Sequence, residues 1–191
     1  MTCTIWLTGL PGSGKTTLAK SLGHRLLGLG HPCVVLDGDE QHVGYSAYAQ
    51  RVNVFGLAEA ARLANRDGAF AIVAAISPMS VDRAKVRTML GARKLLEIYL
   101  STPLAVCERR DATGNYSRAR SGEIAEFTGI SEPYQVPRQP HLVLDTFVMS
   151  VKDCELRIMK LLADRRKTAR TPELMDMQSG FKDSVIRHEM V

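Results

Sequence analysis

The chain has 191 residues, 45% hydrophobic and 24% charged, with a formal charge of +5 and a pI near 9.2. That length fills one well-buried core and is short for two. No apolar run approaches the roughly 20 residues of a bilayer-crossing helix, and the N-terminus enters its first strand without a basic leader, so a cytoplasmic domain with no membrane partner is expected. Cys3, Cys33, Cys107 and Cys154 are scattered, without a Cys-x-x-Cys pair or a histidine at metal-ligand spacing, which argues against a disulfide frame or a zinc site.

In chain order, Thr4-Ile5-Trp6-Leu7-Thr8 is apolar and largely β-branched and predicts a buried strand. Gly9-Leu10-Pro11-Gly12-Ser13-Gly14-Lys15-Thr16-Thr17 follows, a complete G-x-x-x-x-G-K-[ST] phosphate-binding loop. Gly9, Gly12 and Gly14 let successive backbone N–H groups, Ser13's among them, converge on anionic oxygens. Lys15 would reach the β- and γ-phosphates of ATP, and the Thr16 hydroxyl, with Thr17 beside it, would face Mg²⁺. Leu18, Leu22, Leu26 and Leu27 predict a helix over 17–29, whose positive end adds roughly half an elementary charge at the phosphates.

Gly28 to Pro32 turns the chain into a second buried strand, Cys33 to Leu36, ending in Asp37-Gly38-Asp39. A helix is predicted over 53–66, a strand from Phe70 to Ile76 stopped by Ser77-Pro78, a helix from Val81 to Leu90 and a strand from Leu95 to Leu100. Pro103 sits at a helix start. Residues 111–140 are polar and rich in Gly, Pro and Arg, the composition of a mobile lid. His141 to Leu144 makes a fifth short strand. Residues 150–167 read as an amphipathic helix carrying Val151, Leu156, Met159 and Leu162, and 168–191 as a loosely ordered tail. The alternation implies an α/β fold, a phosphate-loop NTPase with three α/β/α layers around a mostly parallel five-stranded sheet, the domain spanning 1–167.

Ligands of open α/β sheets lie beyond the carboxyl ends of the strands, so Asp37 and Asp39 should face the phosphates. Asp37 is suited to hold Mg²⁺ through water, and Asp39 to orient a substrate hydroxyl as it attacks the γ-phosphate. No guanine-reading Asn-Lys-x-Asp accompanies them, which favours a small-molecule kinase over a regulatory GTPase. Arg109, Arg110, Arg118, Arg120 and Arg138 gather around the lid, where guanidinium groups could neutralise transferring phosphate, although about half should be ordinary surface residues. Anionic small substrates explain the basic charge as well as nucleic acid does, and no nucleic-acid partner is expected.

The chain resembles the adenylylsulfate kinase family over about residues 3–146. The resemblance rests on the phosphate loop, Leu36-Asp37-Gly38-Asp39, Ile76-Ser77-Pro78 with Arg83 and Arg87, Pro103 to Asp111, Tyr116-Ser117-Arg118-Ala119-Arg120, and above all Gly122 to Ile130 with Pro133-Tyr134. It implies transfer of the γ-phosphate of ATP to the ribose 3′-hydroxyl of adenylyl sulfate, with Mg²⁺. It also implies Arg110 near the ATP base, Phe127 stacked on the acceptor base, and Asn53 with the Ile76-Ser77 backbone against the acceptor. Parts of the family assign the serine matching Ser77 a phosphorylated intermediate. Direct in-line transfer needs none, so a positioning role is expected.

Departures from the family cluster at the acceptor. His42 stands where the family has its first arginine, the segment up to Asn53 is shorter by about six residues, Arg51 lies one residue closer to Asn53 than the family's arginine, and Phe55-Gly56 replaces an Arg-Arg pair. Losing an arginine that clamps an anion forfeits roughly 1.5–3 kcal/mol. Candidate acceptor contacts are therefore Asp39, His42, Arg51, Asn53, Ile76, Ser77, Arg118 and Phe127. A different nucleotide-linked acceptor, such as a cytidine diphosphate conjugate, stays open, as does a nucleotide-binding module without catalysis, which intact Lys15, Thr16, Asp37 and Asp39 argue against. A homodimer is compatible with the sequence and not readable from it.

Overall fold

All five predicted strands form and pair in parallel. The computed structural model describes residues 2–38 and 47–167, the side chains of 47–50 excepted. The strands are β1 (Thr4–Thr8), β2 (Cys33–Asp37), β3 (Phe70–Ala74), β4 (Leu95–Leu100) and β5 (Leu142–Leu144), in the spatial order β2-β3-β1-β4-β5. The helices are α1 (Lys15–Gly28), α2 (Ala47–Arg66), α3 (Ser80–Leu90), α4 (Leu104–Arg109) and α5 (Asn115–Arg120), with α6 over residues 151–167. By compactness the chain divides into residues 1–155 and 156–191, the second holding the later part of α6.

Period-two alternation assigns the strand residues to two faces. Trp6, Ala71, Val73 and Leu95 pack with Val54, Leu57, Ala58 and Ala61 of α2 and Val86 and Leu90 of α3. On the other face α1 approaches so closely that a Cβ on Gly23 would lie 2.8 Å from Val35 Cγ2. The expected three layers follow. Because β1 sits between β3 and β4, the chain passes from one side of β1 to the other in going from β3 to β4. The carboxyl end of β1, where the phosphate loop begins, is thus the switch point at which such sheets bind ligands.

Four expectations are corrected. β2 is an edge strand rather than a buried one, with Val34 and Val35 38% and 37% exposed, because among the described residues it has β3 on one side and no strand on the other. α2 begins at Ala47, six residues before the predicted start, since its first turns lack the apolar periodicity used to find it. In α6 the buried apolar positions are Cys154, Ile158 and Leu162, spaced i, i+4, i+8, while Val151 and Leu156 are exposed. The segment 111–140 is also not irregular throughout. It contains α5, and Tyr116, Ala119 and Phe127 form an apolar cluster with Cys107, against which Leu10 of the phosphate loop packs.

Candidate active site

The phosphate loop is shaped by close backbone approach. Gly12 has φ +75°, and a Cβ there would lie 2.7 Å from the Cys107 carbonyl oxygen, so only glycine fits. The Ser13 N–H donates to the Leu10 carbonyl (3.1 Å), the Tyr116 hydroxyl to the Pro11 carbonyl (2.9 Å), and Lys15 Nζ to the Leu10 carbonyl (3.0 Å). Lys15 is 2% exposed, its stem held in the loop with its ammonium directed along it. Gly12, Gly14, Lys15, Thr16 and Thr17 line a cavity of about 370 Å³ with Arg110, Thr146, Met149, Val151 and Cys154. Gly9 and Ser13 stand behind that lining, Ser13 wholly buried, so their contribution is to backbone shape.

On the same cavity Arg110 donates from Nη1 to Thr146 Oγ1 (2.9 Å) and from Nη2 to the Thr146 carbonyl (2.8 Å), which fixes the guanidinium plane, and apolar Met149 and Val151 share the lining. Thr146 Oγ1 donates in turn to the Ser13 carbonyl (2.9 Å) and lies 2.7 Å from Thr102 Oγ1. A phosphate cradle, a fixed flat cation and apolar side chains lining one cavity fit a nucleoside triphosphate. Thr16 and Asp37 offer the hard oxygen donors that Mg²⁺ takes.

The second half of the site is built at the carboxyl ends of β2 and β3. Asp37, 7% exposed, ends β2, and the Gly38 N–H donates to the Ala74 carbonyl (2.8 Å). The Asn53 amide, from α2, donates to the Gly38 carbonyl (3.1 Å), and among the described residues its buried Oδ1 accepts no hydrogen bond. Beyond β3, Ser77 is wholly buried at φ +46°, the sole non-glycine residue with positive φ among those described. Its Oγ accepts from Trp6 Nε1 (2.9 Å), and the Ile76 carbonyl accepts from Thr8 Oγ1 (2.7 Å).

Arg83 holds this turn. Only 6% exposed, it donates to the carbonyls of Ser77 (2.7 Å), Pro78 (3.0 Å) and Gln135 (2.5 Å), and Nε pairs with Glu97 Oε1 at 3.1 Å. Arg87 takes the other Glu97 oxygen at 2.6 Å. The lid's return is fastened here as well. Gln135 Oε1 accepts from the backbone and hydroxyl of Ser80, and the Tyr134 hydroxyl lies 2.8 Å from Thr8 Oγ1 with its ring stacked on Tyr99. Burial pushes the Tyr134 phenol well above the usual tyrosine range, against the opposing pull of Thr8 and Arg83.

The structure thus groups Lys15, Thr16, Thr17 and Arg110 at one cavity, and Asp37, Asn53, Ile76 and Ser77 at the adjoining sheet edge. It does not bring three other candidates into an open site. Arg51 Nε is bound to Asp82 (3.0 Å), Arg118 to Glu123 (2.7 Å) at the lid surface, and Phe127, 1% exposed, lies edge-on to Tyr116 at 4.9 Å between ring centroids. Asp39 and His42 lie outside the described residues. Of the lid arginines, Arg120 pairs with Glu108, and Arg138 lines a separate groove beside α3. Sequence reasoning gave no part to Thr8, Thr102 or Thr146. Each follows or ends a strand at the carboxyl edge of the sheet, and that position is the signal that could have found them.

Comparison with known proteins gives one family over most of the chain. The family model described as adenylylsulphate kinase matches residues 1–145. The adenylyl-sulfate kinase of Bacillus licheniformis is 39% identical over 169 residues, 85% of this chain and 86% of that protein. That of Bacteroides fragilis is 41% identical over 167 residues, covering 84% and 83%. Among solved structures, the APS kinase CysC of Mycobacterium tuberculosis in complex with AMPPNP and APS superposes with a TM-score of 0.80 at 37% identity, over 85% of this chain and 98% of that one.

Proposed function

Since the chain belongs to the adenylylsulphate kinase family, we propose that it transfers the γ-phosphate of ATP to the ribose 3′-hydroxyl of adenylyl sulfate, as a step in sulfate assimilation. The observation that carries this reading is the joining of two half-sites at one sheet edge: the nucleotide cavity after β1, and the Asp37-Gly38 turn with Asn53 and Ser77 after β2 and β3. In it Lys15 binds the β- and γ-phosphates, and Arg110 covers the ATP base. Thr16 and Asp37 are the residues that would hold Mg²⁺, which when bound offsets the charge shared by the β- and γ-phosphates. Asp39 orients the attacking hydroxyl. Asn53 offers to the acceptor its Oδ1, which no described residue engages, and the Ile76-Ser77 backbone forms the acceptor wall. The buried Ser77 hydroxyl, engaged by Trp6, positions that wall rather than carrying phosphate.

A second acceptor deserves a place because Arg51, which stands near the family's acceptor arginine, is committed to Asp82. The test is ADP release and acceptor mass gain with ATP and Mg²⁺ across adenylyl sulfate, cytidine nucleotides and other diphosphate conjugates, with Asp39→Asn as control. Turnover of adenylyl sulfate at about 1–100 per second, lost in the Asp39 variant, supports the reading. Strong turnover of another acceptor beside weak turnover of adenylyl sulfate refutes it. For assembly the reading is a homodimer, which light scattering separates from a 21.0 kDa monomer.

A further inference from the structure

We propose that Thr146 is a positioning residue that sets both ends of the ATP site at once, an inference resting on the nucleotide half of the reading above and not on the acceptor. A hydroxyl has one proton to donate and accepts two. Thr146 Oγ1 uses all three capacities. Its proton goes to the Ser13 carbonyl (2.9 Å), and it accepts from Arg110 Nη1 (2.9 Å) and from Thr102 Oγ1 (2.7 Å). With that proton committed to Ser13, the Thr102 hydroxyl is the donor of the pair.

The consequence at the phosphate end follows from peptide geometry. In a trans peptide the C=O and the next N–H point in opposite directions. Holding the Ser13 carbonyl toward Thr146 therefore aims the Gly14 N–H the other way, into the convergent set that receives phosphate oxygens. Gly14 has φ +91° and no side chain to resist rotation of this peptide, so its orientation depends on such an external tether. Thr102 Oγ1 lies 3.3 Å from the same carbonyl, but with its one proton given to Thr146 it leaves that carbonyl to the Thr146 hydroxyl.

At the base end, the Thr146 hydroxyl and carbonyl together take two nitrogens of Arg110, which fixes the plane of an otherwise exposed guanidinium. One side chain just beyond β5 thereby holds the loop after β1 and the last turn after α4 in register. The span between phosphate cradle and base platform is set by that residue.

The experiment compares Thr146→Val, which keeps the branched shape without the hydroxyl, with Thr146→Ser, which restores it, and with Arg110→Ala. Calorimetry without acceptor reads the affinity of each for AMPPNP and for inorganic tripolyphosphate, both with Mg²⁺. Thr146→Val is expected to weaken AMPPNP about tenfold and tripolyphosphate about three- to fivefold. Thr146→Ser should return both to within twofold, and Arg110→Ala should weaken AMPPNP while sparing tripolyphosphate. In turnover the valine variant should raise KM for ATP with kcat within about twofold. The proposal is overturned if the valine variant binds both ligands as wild type does, if it weakens AMPPNP alone, if serine fails to rescue, or if wild type binds tripolyphosphate no better than the variant. Wild-type protein that shows these binding differences yet does not phosphorylate adenylyl sulfate would sink the acceptor assignment and leave this inference standing.

Discussion

Replacing Arg83 by lysine is expected to damage the acceptor half of the site and spare the nucleotide half. The guanidinium makes four short contacts in a buried position, three to carbonyls of Ser77, Pro78 and Gln135 and one to Glu97. An ammonium in the same space can keep the carboxylate but has no planar fork to span two carbonyls of one turn and a third from the lid. Hydrogen bonds to a charged group contribute about 1.5–3 kcal/mol each. Two lost bonds sum to about 3–6 kcal/mol on that scale, and because the charge is retained against Glu97 the loss should fall at the lower end, about 3 kcal/mol, no more than the 3–5 expected when a buried pair loses a partner outright. Ser77 stands at φ +46°, a conformation of the class that carries roughly 1–3 kcal/mol of strain and persists only where its surroundings enforce it. Released, the turn relaxes, and KM for the acceptor should rise tenfold or more. The ATP cavity is held through Thr146 and Arg110, neither of which touches Arg83, so KM for ATP should stay within about twofold. Urea unfolding and separate KM determinations for the two substrates check this. Equal rises in both constants, or a stability loss below about 0.5 kcal/mol with an unchanged acceptor KM, would refute the division of the site.

Three other outcomes are expected. Gly38→Ala places a methyl 2.8 Å from Asn53 Nδ2 with the Ala74 carbonyl at 3.3 Å behind it, so the amide must leave the Gly38 carbonyl. A loss of about 1–2 kcal/mol in urea and a several-fold rise in acceptor KM should follow. Ser77→Ala removes the Trp6 hydrogen bond but no nucleophile, so turnover should fall less than about tenfold, and mass spectrometry of wild type during turnover should find no phosphate on Ser77. Tyr134 has its phenol pKa raised by burial, so the fold favours the neutral form. That contribution is whole below the ordinary value of 10.0 and is lost as pH rises above it toward the folded value. The urea midpoint of wild type should therefore fall more steeply above about pH 10 than that of Tyr134→Phe, and parallel curves would argue against it.

The nucleotide half of this site was legible because its chemistry is contiguous: strand, loop and helix meet within one stretch, from Thr4 to Gly28, and the spacing of glycine, lysine and threonine is itself the geometry. The acceptor half was legible only as residue types. Its assembly depends on contacts between residues far apart in the chain, such as Arg83 with Gln135 and Thr8 with Tyr134, and no local pattern announces them. Arg51 and Arg118 looked like anion clamps because a sequence shows a charge without its partner. Asp82 and Glu123 supply those partners. The edge position of β2 was hidden for a similar reason, since an edge strand of a parallel sheet carries the same β-branched run as a central one and differs only in what lies beside it. Thr146 was passed over because a lone threonine after a three-residue strand has no periodicity and no motif around it.

The chain's one tryptophan, Trp6, is 1% exposed and joined through its indole N–H to the hydroxyl of Ser77. Nature has in effect wired a fluorophore to the Ser77 turn. Its emission comes from a single known place, free of the overlapping signals that blur most intrinsic fluorescence. Any event that shifts the Ser77 turn alters the hydrogen bond to the indole and with it the colour and intensity of that emission. If acceptor binding moves that turn, as the proposed acceptor wall requires, stopped flow reads it in real time without a label, in a protein whose ATP cavity is lined by residues other than the reporter.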